Sequence, residues 1–310
     1  MAETRNGSPA GGFGRLITAM VTPFDAAGEV DYKQAQRLAR ALLDSGSDGV
    51  VVTGTTGEAP TLSHDEKLGL YRSVKEAVGN DGHVLAGTST YNTRESVEMS
   101  RAAQKAGADG LLLTVPYYNR PTQEGIYRHF EAIAAAVDIP CVLYNIPSRT
   151  GRNMEPETVM RAAAIPNIVG IKEASGSCDA VARIVEEAGP DFRVWSGDDG
   201  MTLPFLAVGA YGVICTCSNI IGRQMKSVIE AYLAGRNAEA AATHRRLLPL
   251  MSALMTVAAN PIPIKHAMNK VGFNVGGVRL PLWDLDEAAS AKLMAEVRRH
   301  QIDLPTGVRA

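Results

Sequence analysis

Short apolar segments rich in β-branched residues recur at regular intervals along the first two thirds of the chain. They are continuously apolar rather than alternating between polar and apolar positions, which is typical of parallel strands that are covered on both faces. The segments begin at Leu16, Gly49, His83, Gly110, Pro140, Asn167, Phe192 and Gly212. The pattern therefore predicts eight buried parallel strands.

Amphipathic segments with helix signals separate the predicted strands. Ser63 and Glu66 form a capping-box pattern, in which the serine hydroxyl accepts from the backbone N–H of Glu66 and the glutamate reaches back. Gly46, Gly79 and Gly107 stand where helix C-caps are expected. Strand and helix thus alternate along the chain, which predicts an α/β fold of the (β/α)8 or TIM-barrel type. A doubly wound open sheet would carry a GxGxxG turn after an early strand, and none is present.

After the eighth strand the pattern changes to helical segments only. The first, around residues 227–233, is interpreted as the last helix of the barrel, and Asn260 to Pro263 (NPIP) resembles a loop that starts a later helix. The later segments, which we assign to a C-terminal helical extension, cover residues 238–257, 264–271 and 287–300. The predicted organisation is a flexible N-terminal tail (1–13), a catalytic barrel (14–234) and a helical extension (235–310).

Composition and charge restrict the class of partner. Of the 310 residues, 45% are hydrophobic and 21% are charged, which is the balance of a globular protein. The formal net charge of -2 offers no electrostatic case for binding nucleic acid or an anionic membrane. No apolar run approaches the ~18 residues of a membrane span. The polar, glycine-rich start does not resemble a signal peptide, so we expect a cytoplasmic location.

The cysteines show neither a metal-binding nor a disulfide pattern. They are Cys141, Cys178, Cys215 and Cys217. We expect Cys215 and Cys217 to lie on one face of a strand by two-residue alternation, a spacing too tight for an ordinary disulfide. No paired CxxC motif or histidine cluster completes a zinc site. We therefore predict reduced, buried thiols and no metal or other cofactor.

The sixth predicted strand is apolar and yet ends in a lysine, Lys172. In a TIM barrel the C-terminal ends of the strands and the loops after them carry the reactive groups. A free amine has a pKa of about 10.4, but burial disfavours the ammonium form and can lower the pKa to roughly 7–8. A neutral amine can then form an imine with a bound ketone. The alternative is that Lys172 pairs with a carboxylate in the barrel and has no catalytic role.

Other strand ends carry groups that suit a small keto acid. Strand 2 ends in GTTGE, where Thr55, Thr56 and backbone N–H groups can bind a carboxylate; the alternative is an ordinary turn before a helix. Tyr144, at the end of strand 5, can transfer protons if hydroxyls such as that of Thr55 hold it, although buried tyrosines more often only pack. Arg149, in the loop that follows, can bind a carboxylate through two parallel bonds or be simply solvated.

Two further strand ends leave alternatives open. Tyr117 and Tyr118 are adjacent and cannot point the same way from extended chain, so that one can face the site while the other packs against a loop or another subunit. Asp198 and Asp199 of the SGDD segment have no further acid or histidine at a suitable spacing. This favours structural or substrate-orienting roles for both acids over a bound cation.

Taken together, GTTGE, PYYNRP, YNIPSRTG, GIKEASG and SGDD, in this order and spacing, resemble the 4-hydroxy-tetrahydrodipicolinate synthase (dihydrodipicolinate synthase) family. The resemblance runs from about Gly14 to His300. It implies a lyase of the class I aldolase type that condenses pyruvate with L-aspartate 4-semialdehyde in lysine and diaminopimelate biosynthesis. It also implies a homotetramer built from two tight dimers.

The resemblance implies a role for each of the residues singled out above. Lys172 would form the imine with pyruvate, and Thr56 would bind the carboxylate of pyruvate. Arg149 would bind the carboxylate of aspartate semialdehyde. The remaining roles are a proton relay and the lining of the site. The relay would consist of Tyr144, Thr55 and Tyr118, with Tyr118 contributed by the neighbouring subunit, and the lining would include Gly197 and Ile214.

Two alternatives remain. N-acetylneuraminate lyase and 2-keto-3-deoxy-sugar-acid aldolases share the barrel, the lysine and a GxTGE loop with the same family. A polyhydroxylated substrate would favour small or polar residues in place of Arg149, so this arginine favours the semialdehyde. A barrel that serves only for binding or structure would be expected to have lost Lys172, Tyr144 or Thr55, and all three are present.

Some members of the family are inhibited by lysine at the dimer interface. The resemblance places five residues of this chain at the site where lysine would bind: His64, Glu95, Tyr117, Lys67 and Tyr91. Lysine-sensitive members often have histidine where Lys67 stands and asparagine where Tyr91 stands. Because an added cation near the ammonium group of the effector weakens its binding, we predict weak or absent feedback inhibition.

Overall fold

Eight parallel strands form a closed barrel in the computed structural model, which describes residues 12–305. Each strand is hydrogen-bonded to its neighbours in sequence order, and β8 closes the barrel on β1. The strands are β1 (Leu16–Ala19), β2 (Gly49–Val52), β3 (His83–Gly87), β4 (Gly110–Thr114), β5 (Cys141–Asn145), β6 (Ile168–Glu173), β7 (Arg193–Ser196) and β8 (Gly212–Cys215). The predicted strands and the TIM-barrel fold are confirmed.

Helices follow the strands and continue after the last of them. They are α1 (Tyr32–Asp44), α2 (His64–Val78), α3 (Thr93–Lys105), α4 (Gln123–Ala134), α5 (Pro147–Thr150), α6 (Pro156–Ala163), α7 (Cys178–Glu187), α8 (Thr202–Ala207), α9 (Ser218–Leu233), α10 (Asn237–Thr256), α11 (Ile262–Lys270) and α12 (Glu287–Val297). The last barrel helix, α9, begins at Ser218 and not near residue 227 as predicted. Its first turn precedes a kink at Ile221, whose backbone angles are not helical. None of the described helices is both long and apolar enough to cross a membrane.

The N-terminal end of the barrel is closed by apolar side chains. Phe13, at the end of the predicted tail, is fully buried there, whereas residues 1–11 of that tail lie outside the described residues. The indole N–H of Trp195 donates to the backbone carbonyl of Gly14 at 2.9 Å. The interior cluster consists of Phe13, Ile17, Val51, Leu85, Leu112, Val142, Tyr144, Ile146, Trp195 and Ile214. The polar groups of the strand ends therefore meet above an apolar interior.

Local sequence signals set the helix ends. The Ser63 hydroxyl accepts from the backbone N–H of Glu66 at 3.2 Å, and the Glu66 carboxylate accepts from the backbone N–H of Ser63 at 2.7 Å. The predicted capping box is thus confirmed. Gly46, Gly79 and Gly107 follow α1, α2 and α3 with positive φ values, a conformation that glycine adopts without steric strain.

A buried ion pair attaches the C-terminal extension to the end of the barrel where the strands terminate. The Lys265 ammonium group on α11 lies 2.9 Å from the carboxylate of Glu58 in the GTTGE loop, and the two side chains are only 2% and 0% exposed. The same ammonium donates to the carbonyl of Thr22 at 2.9 Å. The second oxygen of Glu58 accepts from the backbone N–H of Arg279 at 2.9 Å. These contacts hold α11 against the loop that follows β2.

Candidate active site

Lys172 is buried at the C-terminal end of β6, with 5% of the residue exposed. Its ammonium group lies 4.3 Å from the ring centre of Tyr144, its register partner on β5. Within residues 12–305, the lysines that form ion pairs with carboxylates are Lys75, Lys226 and Lys265, and Lys172 is not among them. The alternative of a purely structural ion pair therefore finds no support.

Burial makes the amine of Lys172 less basic. It lowers the pKa from its ordinary value of 10.5 to about 8, because the ammonium form loses its hydration. The negative charge of Asp199 opposes this shift, and the positive charge of Arg149 adds to it. A useful fraction of the amine is therefore neutral near physiological pH, and the neutral form is the one that attacks a ketone.

Gly197 and Ile214, the predicted lining residues, occupy different places. A Cβ atom on Gly197 would lie 3.0 Å from Cγ of Lys172 and 2.8 Å from the Cβ of Ala174, so a side chain there would displace the lysine. Ile214 on β8 is fully buried in the interior cluster and is in register with Ile17 on β1. Gly197 thus makes room for the side chain of Lys172, while Ile214 contributes to the apolar interior.

Tyr144 is buried on the strand next to Lys172. Burial raises the pKa of its hydroxyl above the ordinary value. The positive charge of Arg149 and a hydrogen bond with Thr55 act in the opposite direction without cancelling the effect of burial. The phenol consequently stays protonated at neutral pH, as a proton donor must be. The structure thus brings Tyr144 and Thr55 together, as the sequence predicts.

The GTTGE loop presents Thr56 next to a residue of the extension. The Asn260 side-chain amide donates to Oγ1 of Thr56 at 2.9 Å, and Oγ1 of Thr216 lies 3.5 Å from the same atom. Thr56 is 3% exposed. A Cβ atom on Gly57 would lie 3.0 Å from the backbone nitrogen of Thr53, so a side chain there would press against the backbone of the loop. The loop is therefore a fixed part of the site.

Arg149 lies on α5, a single helical turn after β5. Its Nη2 donates to the backbone carbonyl of Asn260 at 3.2 Å, which directs the guanidinium group. Arg149 and Thr55 line the same cavity, which has a volume of about 450 Å³. The guanidinium group of Arg149 is therefore held in an orientation in which it can bind an anionic group in this cavity.

The two adjacent tyrosines differ sharply in exposure. Tyr117 is half-buried and lines the cavity, with its ring packed edge-on against Tyr91 at a centroid distance of 5.3 Å. Tyr118 is 90% exposed and has a φ of 70°, which lies in the left-handed region. Within a single chain Tyr118 is thus a surface residue, and its predicted place in the relay depends on a neighbouring subunit.

Of the five residues predicted to contact an inhibitory lysine, four line the same cavity. Lys67, Glu95, Tyr117 and Tyr91 line it. Burial lowers the pKa of Lys67, and the negative charge of Glu95 opposes the shift. His64, the first residue of α2, is exposed and does not contribute to the lining.

Asp199 of the SGDD segment is buried and accepts hydrogen bonds from the backbone. Its carboxylate accepts from the N–H groups of Thr216 at 3.0 Å and Cys217 at 2.7 Å. These bonds tie the loop after β7 to the loop after β8. They agree with a structural role for Asp199, which is one of the two roles that the spacing favours over a bound cation.

Cys215 and Cys217 do not share a strand face, so that prediction is wrong. The strand β8 ends at Cys215, and Cys217 already has helical backbone angles, because the chain turns directly into α9. Their sulfur atoms are nevertheless 3.4 Å apart, and in the described part of the chain they form a possible metal-ligand group with Asp199. Burial raises the pKa of both thiols, and backbone N–H groups already occupy the carboxylate. This chemistry disfavours a bound ion.

Asn260 and Thr216 are polar neighbours of Thr56 that the sequence analysis did not select. Asn260 is separated from Thr56 by 204 positions and Thr216 by 160 positions. The only local signal is the NPIP segment, whose asparagine precedes two prolines at a helix start. That pattern explains a loop, but it does not indicate which group the amide contacts.

A sequence model of the Dihydrodipicolinate synthetase family matches residues 12–300 of the chain. The chain belongs to this family. Among curated relatives named 4-hydroxy-tetrahydrodipicolinate synthase, that of Dehalococcoides mccartyi is 56% identical over 94% of this chain and 98% of the relative. That of Moorella thermoacetica is 52% identical over 92% of this chain and 98% of the relative.

Solved structures of the family share the fold. The crystal structure of the dihydrodipicolinate synthase from Cyanidioschyzon merolae with lysine bound has a TM-score of 0.91 and 46% sequence identity, covering 93% of this chain and 98% of that one. The family resemblance inferred from the five motifs is confirmed, and with it the barrel.

Proposed function

We propose that this chain condenses pyruvate with L-aspartate 4-semialdehyde to 4-hydroxy-tetrahydrodipicolinate, as a lyase of lysine and diaminopimelate biosynthesis. Membership of the family supports the overall reaction. The observation that carries the mechanism is the buried amine of Lys172, which forms no ion pair within residues 12–305 and whose pKa burial lowers to about 8. Neither a metal nor an organic cofactor is needed, because the lysine itself supplies the electron sink. The predicted cytoplasmic location belongs to the same proposal.

The first half of the reaction activates pyruvate. Thr56 and the neighbouring backbone bind the carboxylate, and the neutral amine of Lys172 attacks the ketone. The carbinolamine that forms loses water to give an imine, with Tyr144 donating the proton that the departing oxygen needs. The protonated imine then draws electrons from the methyl carbon, which loses a proton to the phenolate left on Tyr144 and becomes the nucleophilic end of an enamine. Tyr144 is thereby protonated again.

The second half joins the two substrates. Arg149 binds the carboxylate of the semialdehyde, and the enamine carbon attacks the aldehyde carbon while Tyr144 protonates the new alkoxide. The amino group of the semialdehyde then attacks the imine carbon, which closes the ring and releases Lys172 as a free amine. Binding by Arg149 favours this anionic substrate over a polyhydroxylated sugar acid.

Reductive trapping tests the imine directly. The protein is incubated with pyruvate and borohydride, and its mass and the modified peptide are determined. The wild-type chain should gain one reduced pyruvate at Lys172, and the matched control Lys33→Ala, on the exposed face of α1, should gain the same mass. Lys172→Ala should gain nothing. Modification of another lysine, or no modification of the wild-type chain, would refute the mechanism.

The second substrate is tested through Arg149. Arg149→Ala should raise the KM for aspartate semialdehyde by about 10- to 100-fold, because a charge-assisted pair contributes roughly 1.5–3 kcal/mol, and trapping with pyruvate should persist. Loss of trapping in this variant would contradict the assignment. Cleavage of N-acetylneuraminate or of a 2-keto-3-deoxy sugar acid, without condensation of the semialdehyde, would establish the aldolase alternative.

For the assembly we propose a homotetramer of two tight dimers in which Tyr118 enters the site of the neighbouring subunit. Its 90% exposure in the single chain supports this proposal. Tyr118→Phe and Lys172→Ala should each be nearly inactive alone. After unfolding and refolding of an equimolar mixture, activity should reappear, because one site of each hybrid dimer then has both groups. If mixing restores no activity, Tyr118 is not exchanged between subunits.

A further inference from the structure

Asn260 contacts both substrate-binding groups from the C-terminal extension. Its side-chain Nδ2 donates to Oγ1 of Thr56 at 2.9 Å, and its backbone carbonyl accepts from Nη2 of Arg149 at 3.2 Å. The residue is 6% exposed, and its Oδ1 has no hydrogen-bond partner among the described residues. The side-chain amide therefore acts on one group only, the hydroxyl of Thr56.

This contact restricts the direction of the Thr56 proton. A hydroxyl group has one proton and two acceptor lone pairs. Because the amide of Asn260 occupies one lone pair of Oγ1, the proton of Thr56 has to point away from Asn260. The nearby hydroxyl of Thr216 lies at 3.5 Å, beyond the usual range of an O–H···O hydrogen bond. The hydroxyl proton of Thr56 is thus available for a hydrogen bond to a ligand group that can only accept one.

We propose that Asn260 is a positioning residue that turns the hydroxyl proton of Thr56 toward the carboxylate of pyruvate. The inference rests on the proposed function, in which Thr56 binds that carboxylate. A carboxylate has no proton to offer, so Thr56 has to be the donor. Without the amide, the hydroxyl is free to rotate and to present a lone pair to the negative charge.

The extension holds the amide where this orientation requires it. Asn260 lies two positions before α11, and the buried pair between Lys265 and Glu58 attaches that helix to the same loop that carries Thr56. The loop is therefore held from both sides, by Lys265 at Glu58 and by Asn260 at Thr56. Through this arrangement the extension becomes part of the pyruvate site.

Two substitutions separate the side chain of Asn260 from its backbone. Asn260→Ala should raise the pyruvate concentration that gives half-maximal borohydride trapping by about 10-fold, the effect of one lost hydrogen bond near a charge. Asn260→Asp should raise it further, to about 100-fold, because its carboxylate accepts from Thr56 and adds a negative charge. In Asn260→Ala the KM for the semialdehyde should stay within about twofold, since the carbonyl that contacts Arg149 remains. Equal increases for both substrates would overturn the proposal.

The matched control is Asn269→Ala on α11, whose side chain, within residues 12–305, bonds only to the backbone of Gly276 and Val275. It should lower the melting temperature and leave half-saturation by pyruvate unchanged. If it raised the half-saturating pyruvate concentration as much as Asn260→Ala does, the effect of Asn260 would be a general one of the extension and the proposal would fail.

A double-mutant cycle decides whether Asn260 acts through Thr56. Thr56→Val removes the hydroxyl, so Asn260→Ala should have no further effect on half-saturation by pyruvate in that background. If the two effects multiply, Asn260 does not act through Thr56 and the inference is wrong. Absence of trapping in the wild-type chain would instead refute the proposed function, so the two failures are distinguishable.

Discussion

Lys172→Met should make the folded chain more stable while it abolishes catalysis. The pKa of Lys172 is 10.5 in its ordinary environment and about 8 in the folded chain, mainly because of burial. In this interval the unfolded chain binds more protons than the folded one, so the charged lysine opposes folding. The pKa difference corresponds to about 3 kcal/mol at pH 7. Methionine fills a similar volume and carries no charge.

The destabilisation by Lys172 depends on pH, and it decreases as the pH rises. Since the pKa of a lysine is depressed in the folded state, the destabilisation is fully present below about pH 8. It declines as the pH rises and vanishes above the unfolded pKa of 10.5. The advantage of Lys172→Met should therefore fall from about 3 kcal/mol at pH 7 to about 1 kcal/mol at pH 10.

Urea unfolding at pH 7, 8.5 and 10, at one protein concentration, measures this difference. Lys33→Met on α1 is the control, because Lys33 is exposed and its replacement should change the free energy of unfolding little at any of these pH values. A difference between Lys172→Met and the wild-type chain that does not change with pH would refute the reasoning. So would a variant less stable than wild type at pH 7, since the ammonium group would then be well solvated or paired.

Three further substitutions test the surroundings of the site. Gly197→Ala should slow trapping of pyruvate by roughly 10-fold or more, because its Cβ would lie 3.0 Å from Cγ of Lys172; a wild-type rate would contradict this. Lys265→Met should lower the free energy of unfolding in urea by about 3–5 kcal/mol by leaving Glu58 buried without a counter-charge, and adding Glu58→Gln should recover part of the loss. Lys67→His should strengthen inhibition by lysine, whereas an unchanged inhibition curve would show that the cation of Lys67 is not what limits effector binding.

The strands, the capped ends of several helices and the principal lysine were predictable because their signals are local. Burial on both faces makes each strand a continuous apolar run, and a capping box needs only Ser63 and Glu66, three positions apart. In a parallel barrel all strands end on one side, so Lys172, Tyr144 and Thr55 could be assigned to one site from their positions alone. Where the chain leaves regular structure the inference fails, as at Cys217, where the turn into α9 replaces the expected strand.

The environment of these groups was decided only by tertiary structure. Glu58 and Lys265 are separated by 207 positions, and Thr56 and Asn260 by 204, so no sequence periodicity relates them. They meet because the extension folds back over the end of the closed barrel. The pKa of Lys172 likewise depends on how completely the surrounding strands and loops exclude water. Sequence alone determined which chemical groups stand at the strand ends, since that order is covalent. Their protonation and orientation depend on desolvation and on contacts between distant segments, which exist only in the folded chain.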